Sequence, residues 1–453
     1  MNVSNLKPVA PSENHDVQVE SEAAFSNVSI IGMGYVGLPL ALQFARAGLH
    51  VNGVDIDDEK VTHLNKGESY IKHIASASLQ EQIESKHFEA TTDFASIGQT
   101  EAVIICVPTP LNKNHEPDLT YVLATGRAIA PHIRAGQLIV LESTTYPGTT
   151  EDELRPILEE GSGLVAGRDF CLAFSPERED PGNPQSQVGR IPKVIGGITQ
   201  GCTQRACTLY GAAIEKTVPV SSCRVAEATK LLENIFRSVN IALVNELKVV
   251  YEAMGIDIWE VIDAAKTKPF GFMPFYPGPG LGGHCIPIDP YYLSWKAREY
   301  NQFTRFISLA GETNTQMPRY VMQRCMEALN SRRKSIAGSK VLVLGLAYKP
   351  NVDDMRESPS LELMDHFRDH GAEVSFYDPH IPVVPKTREH PEYTGWKSIE
   401  WTEDNLRGFD LVLIATNHHS VDYQELANWA DLIVDTRNAM HGSSIKEGQL
   451  FKS

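Results

Sequence analysis

The sequence predicts an α/β protein of two Rossmann-like units, each a doubly wound parallel sheet, joined by a long central helix and a helical middle region. Three observations predict it. Short apolar runs, each closed by a turn or polar residue, alternate with helical stretches between Ser26 and Leu141. The same alternation restarts after Ser339. Between the two series, Leu231, Leu232, Ile235, Val239, Ala242, Leu243, Leu247 and Val250 recur at helical spacing with no Gly or Pro inside the stretch.

In the first half, Ser26–Ile31 is closed by Gly32, a helical pattern runs to about Gly48, and His50–Val54 ends at Asp55. Ala102–Val107 and Leu138–Leu141 follow. Near-continuous apolar runs belong to strands covered on both faces, the environment of a parallel sheet with helical crossovers. The central helix, from about Arg224 to Met254, would be about 45 Å long at 1.5 Å per residue, enough to connect units or to pack against a partner. Between Pro269 and Pro290 the chain is dense in Gly and Pro. In the second half, Lys340–Leu344 ends at Gly345, Glu373–Tyr377 at Asp378, Leu411–Ala415 at Thr416 and Leu432–Val434 at Asp435. The expected domains are a disordered tail (1–25), a dinucleotide-binding unit (26–215), a central helical region with a cysteine-bearing loop (216–330) and a second α/β unit (331–453).

A chain of 453 residues exceeds one ordinary core. Its 57 acidic against 41 basic residues give a formal charge of -16, which argues against a general nucleic-acid or anionic-membrane surface. No stretch approaches the roughly 20 apolar residues of a membrane helix. Residues Met1 to Glu22 lack the apolar core of a secretory signal. Seven cysteines, an odd number with no CxxC pair, read as reduced thiols in a cytoplasmic protein and suggest no metal centre.

Gly32-Met33-Gly34-Tyr35-Val36-Gly37 matches G-x-G-x-x-G. Alone the pattern is weak. Here it follows a strand, opens a helix, and is followed at the end of the next strand by Asp55. Gly32 allows the tight turn, Gly34 lets a pyrophosphate approach the backbone, and Gly37 lets helix and strand pack closely. The helix N-terminus offers N–H donors and a positive dipole to phosphate. Asp55 would bond ribose hydroxyls and repel a 2′-phosphate, which favours NAD over NADP. FAD uses the same fingerprint and is the alternative. The second unit opens with Gly345-Leu346-Ala347-Tyr348-Lys349, lacks the later glycines and need not bind NAD. Lys349, Arg356 and Arg437 stand at or after its strand ends, where they suit phosphate or uridine contacts.

In the segment from Pro277 to Pro290, four glycines surround the approach to Cys285, and Asp289 follows four residues later. A loop of this kind exposes backbone N–H groups and lets a ligand come close, so Cys285 reads as a nucleophile. On the long helix Lys230 and Asn234 share one face. Alone such a pair is more simply a solvated edge; beside a nucleophile and a cofactor motif it suits an oxyanion. Glu142 to Gly148 and Phe174 to Arg178 are polar strand-end segments that bring hydroxyls, a carboxylate and a cation. Oxidation of an alcohol to a carbonyl needs NAD and a base but no thiol. Oxidation on to a carboxylate uses one: a thiolate traps the aldehyde, a second hydride leaves a thioester, and water hydrolyses it.

The motifs resemble the UDP-glucose/GDP-mannose dehydrogenase family from about Val28 to Asn438. The residues carrying the resemblance are Gly32–Gly37, Val107-Pro-Thr-Pro110, Ser143-Thr144, Ser175-Pro-Glu177, Glu227-Ala-Thr-Lys230 through Asn234, Gly282-Gly-His-Cys285 with Asp289, and Tyr348-Lys349 through Arg356. The phrases Glu142–Gly148 and Gly282–Tyr292 resemble most the branch acting on UDP-N-acetylglucosamine, which makes the uronic acid for surface polysaccharides. UDP-N-acetylmannosamine and UDP-glucose are the alternative substrates. The resemblance implies Cys285 as nucleophile, Lys230 and Asn234 on the substrate and its oxyanion, Asp289 with Thr144 placing a water, and Glu177 assisting hydrolysis. It implies Gly32, Met33, Gly34, Tyr35, Val36, Gly37, Asp55, Lys60, Pro108, Thr109, Ser143, Thr144 and Arg356 around NAD. Glu177, Arg178, Lys230, Asn234, Tyr276, Gly278, Gly280, Gly282, Tyr348, Lys349 and Arg437 would line the UDP-sugar site. It also implies a homodimer or larger assembly through the long helix.

Overall fold

The structure is a computed structural model that describes residues 24–71, 74–112, 116–179, 188–283, 286–387 and 390–453. Residues 1–23 of the expected tail, together with His284 and Cys285, lie outside the described residues. Two compact units emerge: Met1–Pro110 with Asp118–Lys230, and Leu111–Pro117 with Leu231–Ser453. The helical middle region is therefore grouped with the C-terminal sheet from Leu231 onward.

The first unit is built on eight strands: β1 (Asn27–Ile31), β2 (His50–Val54), β3 (Phe88–Thr91), β4 (Ala102–Ile105), β5 (Leu138–Leu141), β6 (Cys171–Phe174), β7 (Lys193–Gly197) and β8 (Thr217–Val220). Their order is β3-β2-β1-β4-β5-β6-β7-β8. Every pair is parallel except β6–β7. Strands β4, β5 and β6 are buried along their whole length, as their apolar sequences require. The order reverses between β1 and β4, which opens a crevice at the carboxyl ends of those strands.

In the second unit β9 (Lys340–Leu344), β10 (Glu373–Tyr377), β11 (Leu411–Ile414), β12 (Ile433–Asp435) and β13 (Leu450–Lys452) form a parallel sheet in the order β10-β9-β11-β12-β13. Its reversal lies between β9 and β11. The two units share one local device. In the first, the Asp55 carboxylate after β2 accepts the Met33 amide of the turn after β1, at 2.8 Å. In the second, Asp378 after β10 accepts the Leu346 and Ala347 amides of the turn after β9, at 2.7 and 2.9 Å. Each aspartate satisfies donors that a sharp strand-to-helix turn leaves without a sheet partner.

The long helix runs Cys223–Ala253, as its unbroken apolar period predicts. Among the described residues no helix is long and apolar enough to cross a membrane.

Candidate active site

The Gly-rich turn of the first unit shows why each glycine is where it is. Gly32 has φ of 93°, and a Cβ there would lie 2.6 Å from the Cys106 carbonyl oxygen. A Cβ on Gly37 would lie 1.9 Å from the Gly32 oxygen, so only glycine lets helix Gly37–Arg46 begin against the strand. A Cβ on Gly34 would meet nothing within 4 Å, which leaves that side open for a ligand. The helix carries no acidic residue in its first turn and Val36 gives it no side-chain cap, so nothing negative opposes a phosphate at its positive end. Asp55 is buried and fixed by the Met33 amide and, at 3.0 Å, by the Asp57 amide, with Lys60 Nζ 3.7 Å away. Tyr35 is exposed beside the turn, and Tyr70 donates its hydroxyl to the Met33 carbonyl. An open glycine, an uncapped helix start and a fixed ribose-side carboxylate fit NAD.

The loops after β4 and β5 join at the same sheet end. Thr109 donates to the Thr144 carbonyl at 2.7 Å, and Ser143 donates to the Val107 carbonyl at 2.7 Å. Pro108 lies exposed between these contacts. The side chains of Thr109 and Ser143 thus act on the loops themselves, and Thr144 is half-buried. Thr145, absent from the sequence-derived set, is buried with an Oγ1 that has no partner among the described residues. That unsatisfied hydroxyl is a polar group in waiting for a ligand or water.

Glu177 follows β6 and is mostly buried. Its Oε1 accepts the Arg178 and Glu179 amides, both at 2.6 Å, and its Oε2 accepts Lys193 Nζ at 3.0 Å. Lys193 also bonds Glu142, whose second oxygen accepts the Tyr210 hydroxyl at 2.6 Å. Burial pushes the Glu177 carboxyl up, but the Lys193 charge, its hydrogen bond and the Glu179 amide outweigh it and hold the pKa at about 2. Glu142 shares the same lysine, yet its complete burial dominates and raises it to about 7. Sequence reasoning missed Lys193 because it treated the sheet as parallel. Antiparallel β7 places its first residue, Lys193, at the carboxyl end of β6. The available signal was a lysine opening the buried run Val194–Gly197. Arg178 turns away and donates to the Pro192 carbonyl at 2.6 Å.

Lys230 and Asn234 are buried on the long helix, so they are not a solvated edge. One turn earlier Glu227 accepts Gly148 N at 2.6 Å, Thr150 N at 2.9 Å and Thr150 Oγ1 at 2.7 Å. These bonds tie the segment after β5 to the helix that carries Lys230.

In the second unit Asn234 donates its amide to Asp289, the first residue of helix Asp289–Glu299, at 2.5 Å. Both are buried. The Gly-rich loop before Cys285 packs on the turn after β9. A Cβ on Gly282 would lie 2.6 Å from the Tyr348 Cβ, and Gly283 N donates to the Arg356 carbonyl at 3.0 Å. Gly280 takes φ of 145° beside Pro359. Gly278 donates to Asn245 Oδ1 at 3.0 Å, and a Cβ there would lie 2.3 Å from Arg437 Nη1. Tyr276 stacks on Trp259, with ring centroids 5.5 Å apart, and Lys349 Nζ lies 5.5 Å from the Tyr348 ring centroid. The Arg356 side chain is exposed and pairs with Asp354 at 2.6 Å. Lys248, a further residue the sequence did not single out, is buried with no hydrogen-bond partner for Nζ among the described residues; burial pushes its amine down to about 8.

Models of the UDP-glucose/GDP-mannose dehydrogenase family match along the chain: the NAD binding domain at residues 26–214, the central domain at 224–316 and the UDP binding domain at 342–442. The chain belongs to this family. It is an NAD-dependent UDP-sugar dehydrogenase, an oxidoreductase acting on CH–OH groups. A UDP-N-acetyl-D-mannosamine dehydrogenase of Escherichia coli (strain K12) is 36% identical over 410 residues, 87% of this chain and 94% of that protein. A UDP-N-acetyl-D-glucosamine 6-dehydrogenase of Pseudomonas aeruginosa is 36% identical over 364 residues, 80% and 85% of the two chains. The solved structure of a UDP-D-ManNAc dehydrogenase from Pyrococcus horikoshii is similar with a TM-score of 0.84 and 32% identity, covering 94% of this chain and 98% of that one.

Proposed function

We propose that this dehydrogenase oxidises the C6 hydroxymethyl of UDP-N-acetylglucosamine to the carboxylate in two hydride transfers, through a thiohemiacetal and then a thioester on Cys285. The observation that carries it is the buried Asn234–Asp289 pair, whose aspartate stands four residues after Cys285 in the sequence. A simple alcohol oxidation has no use for a fixed amide and a carboxylate that follows a candidate nucleophile by four residues. A tetrahedral oxyanion and a hydrolytic water do.

On this reading residues 26–215 hold NAD, 216–330 carry the nucleophile and 331–453 hold the UDP moiety. Bound NAD supplies the hydride acceptor, one molecule for each step. Gly34 and the start of helix Gly37–Arg46 meet its pyrophosphate, and Asp55 meets the adenosine ribose. Lys230 and Asn234 hold the substrate oxygen as it becomes an oxyanion. Asp289 and the threonines after β5 orient water, and Glu177 takes part in hydrolysis. Arg437, Tyr348 and Lys349 suit the diphosphate and uridine.

The N-acetylgluco assignment rests on the phrases Glu142–Gly148 and Gly282–Tyr292 and on the Pseudomonas relative. The mannosamine relative is equally similar, so the C2 configuration is the feature to test. Among UDP-N-acetylglucosamine, UDP-N-acetylmannosamine and UDP-glucose, the first is expected to give the highest kcat/KM, by tenfold or more, on the order of 1.4 kcal/mol of transition-state discrimination. A preference for either of the others overturns the assignment.

The enzyme is proposed to act in the cytoplasm, as a homodimer. On the long helix Leu232, Phe236, Leu243 and Val250, and Met254 just past its end, are exposed, Leu243 by 51%. They recur along one element and form a stripe too large and too apolar to be left facing water. A second copy of the same helix is the occupant that the self-complementary stripe fits. Leu243→Glu is expected to convert the dimer to monomer in sedimentation velocity, with the fold retained. An unchanged dimer would place the interface elsewhere.

A further inference from the structure

The cluster Glu142–Lys193–Glu177 is built more elaborately than the support of one carboxylate requires. Lys193 Nζ stands between two glutamates and bonds both. Glu142 is fully buried, and its two oxygens are taken by Lys193 Nζ and by the Tyr210 hydroxyl. Among the described residues the partner it shares with Glu177 is that lysine. Glu177 is the member with some exposure, 14% of its side chain against 0% for Glu142. A buried pair of like charges sharing one cation carries a net negative charge, which a proton can neutralise.

We propose that Lys193 positions Glu177 and hands on to Glu142 the proton that Glu177 takes from the hydrolytic water. This rests on the thioester reading above. Thioester and water yield a carboxylate, a thiolate and two protons. As the water oxygen bonds the carbonyl carbon and the carbon–sulfur bond breaks, one proton passes to Glu177. The Lys193 ammonium gives a proton to Glu142 and takes the one on Glu177, so Glu177 is again an anion and Lys193 again a cation. The second proton neutralises the departing thiolate. Lys193 and Glu142 are thus positioning residues that act through Glu177.

The electrostatics agree with this division of labour. Held at about 2, Glu177 is a weak base and cannot keep a proton at neutral pH. Raised to about 7, Glu142 can. The other groups facing the cluster are Cys106 after β4, whose thiol burial and then Glu142 push well up, Tyr210 from helix Gln200–Gly211, also pushed up by burial and Glu142, and Lys230 from the long helix, which favours the Glu177 anion. Neither Cys106 nor Tyr210 ionises near neutral pH in these surroundings, which leaves Glu142 as the proton store.

The test is Glu142→Gln, which keeps the shape and one acceptor oxygen, for Lys193, turns an amide N–H toward the Tyr210 oxygen, and cannot take the proton. Wild-type turnover is expected to rise with pH through about 7, because the store must be unprotonated to accept. In the variant that limb disappears and steady-state turnover falls on the order of 10²-fold. A rapid burst of two NADH per site is retained, and acid quenching traps a sugar adduct on Cys285 by mass spectrometry. Lys193→Arg, which keeps the cation but cannot give up a proton, is expected to retain more activity than Lys193→Met and, like Glu142→Gln, to lose the pH limb. If the wild type yields two NADH per sugar but Glu142→Gln keeps wild-type turnover and pH profile, the inference is overturned. If the wild type itself yields one NADH per sugar, the thioester reading has failed instead.

Discussion

Cys285→Ser is expected to abolish formation of the uronic acid, lowering turnover to carboxylate by on the order of 10³-fold or more. A serine hydroxyl is a far weaker nucleophile than a thiolate at neutral pH, and a serine ester would hydrolyse more slowly than a thioester. The change is nearly isosteric. The NAD cradle draws on Gly32–Gly37 and Asp55, so NAD affinity and thermal stability should be unchanged. Product analysis separates two outcomes. Loss of acid with intact NAD binding supports covalent catalysis. Retention of wild-type acid formation would make Cys285 incidental and return the enzyme to one-step alcohol chemistry.

Two glycines three residues apart should fail in opposite ways. Gly37→Ala would place a methyl 1.9 Å from the Gly32 oxygen, a backbone atom that cannot move without opening the turn. The expected cost is about 1–3 kcal/mol of stability, read as a lowered Tm without ligand. Gly34→Ala meets nothing within 4 Å and should leave that Tm unchanged. It should weaken NAD binding about 10- to 100-fold in calorimetry, because the methyl takes the space a pyrophosphate needs. Equal loss of NAD affinity in both variants with no change in either Tm would contradict this reading of the turn.

Much of this was legible in the residues. The interior strands β1, β2, β4, β5, β9 and β11 are apolar runs because helices cover both their faces, and the sequence marks them plainly. Strands β3, β8 and β13 were not legible. β3 and β8 lie at the edges of the first sheet and β13 at the edge of the second; β3 carries Glu89, β8 contains Pro219, and β13 is three residues long. Of the site, the G-x-G-x-x-G turn with Asp55 is local along the chain, so spacing sufficed. Asn234 and Asp289 could be named singly, but their bond joins residues 55 apart. Lys193 and Glu142 meet because one strand runs antiparallel, and no periodicity in the sequence announces that reversal. The buried Thr145 hydroxyl and Lys248 amine, which have no hydrogen-bond partner among the described residues, were likewise invisible, since what sets them apart lies in three dimensions.

NADH yield at completion, with limiting UDP-N-acetylglucosamine and excess NAD, tests the central claim most directly. Two NADH per sugar, with the uronic acid as product, is the result predicted by oxidation through a cysteine thioester. One NADH per sugar, with the aldehyde as product, would contradict it.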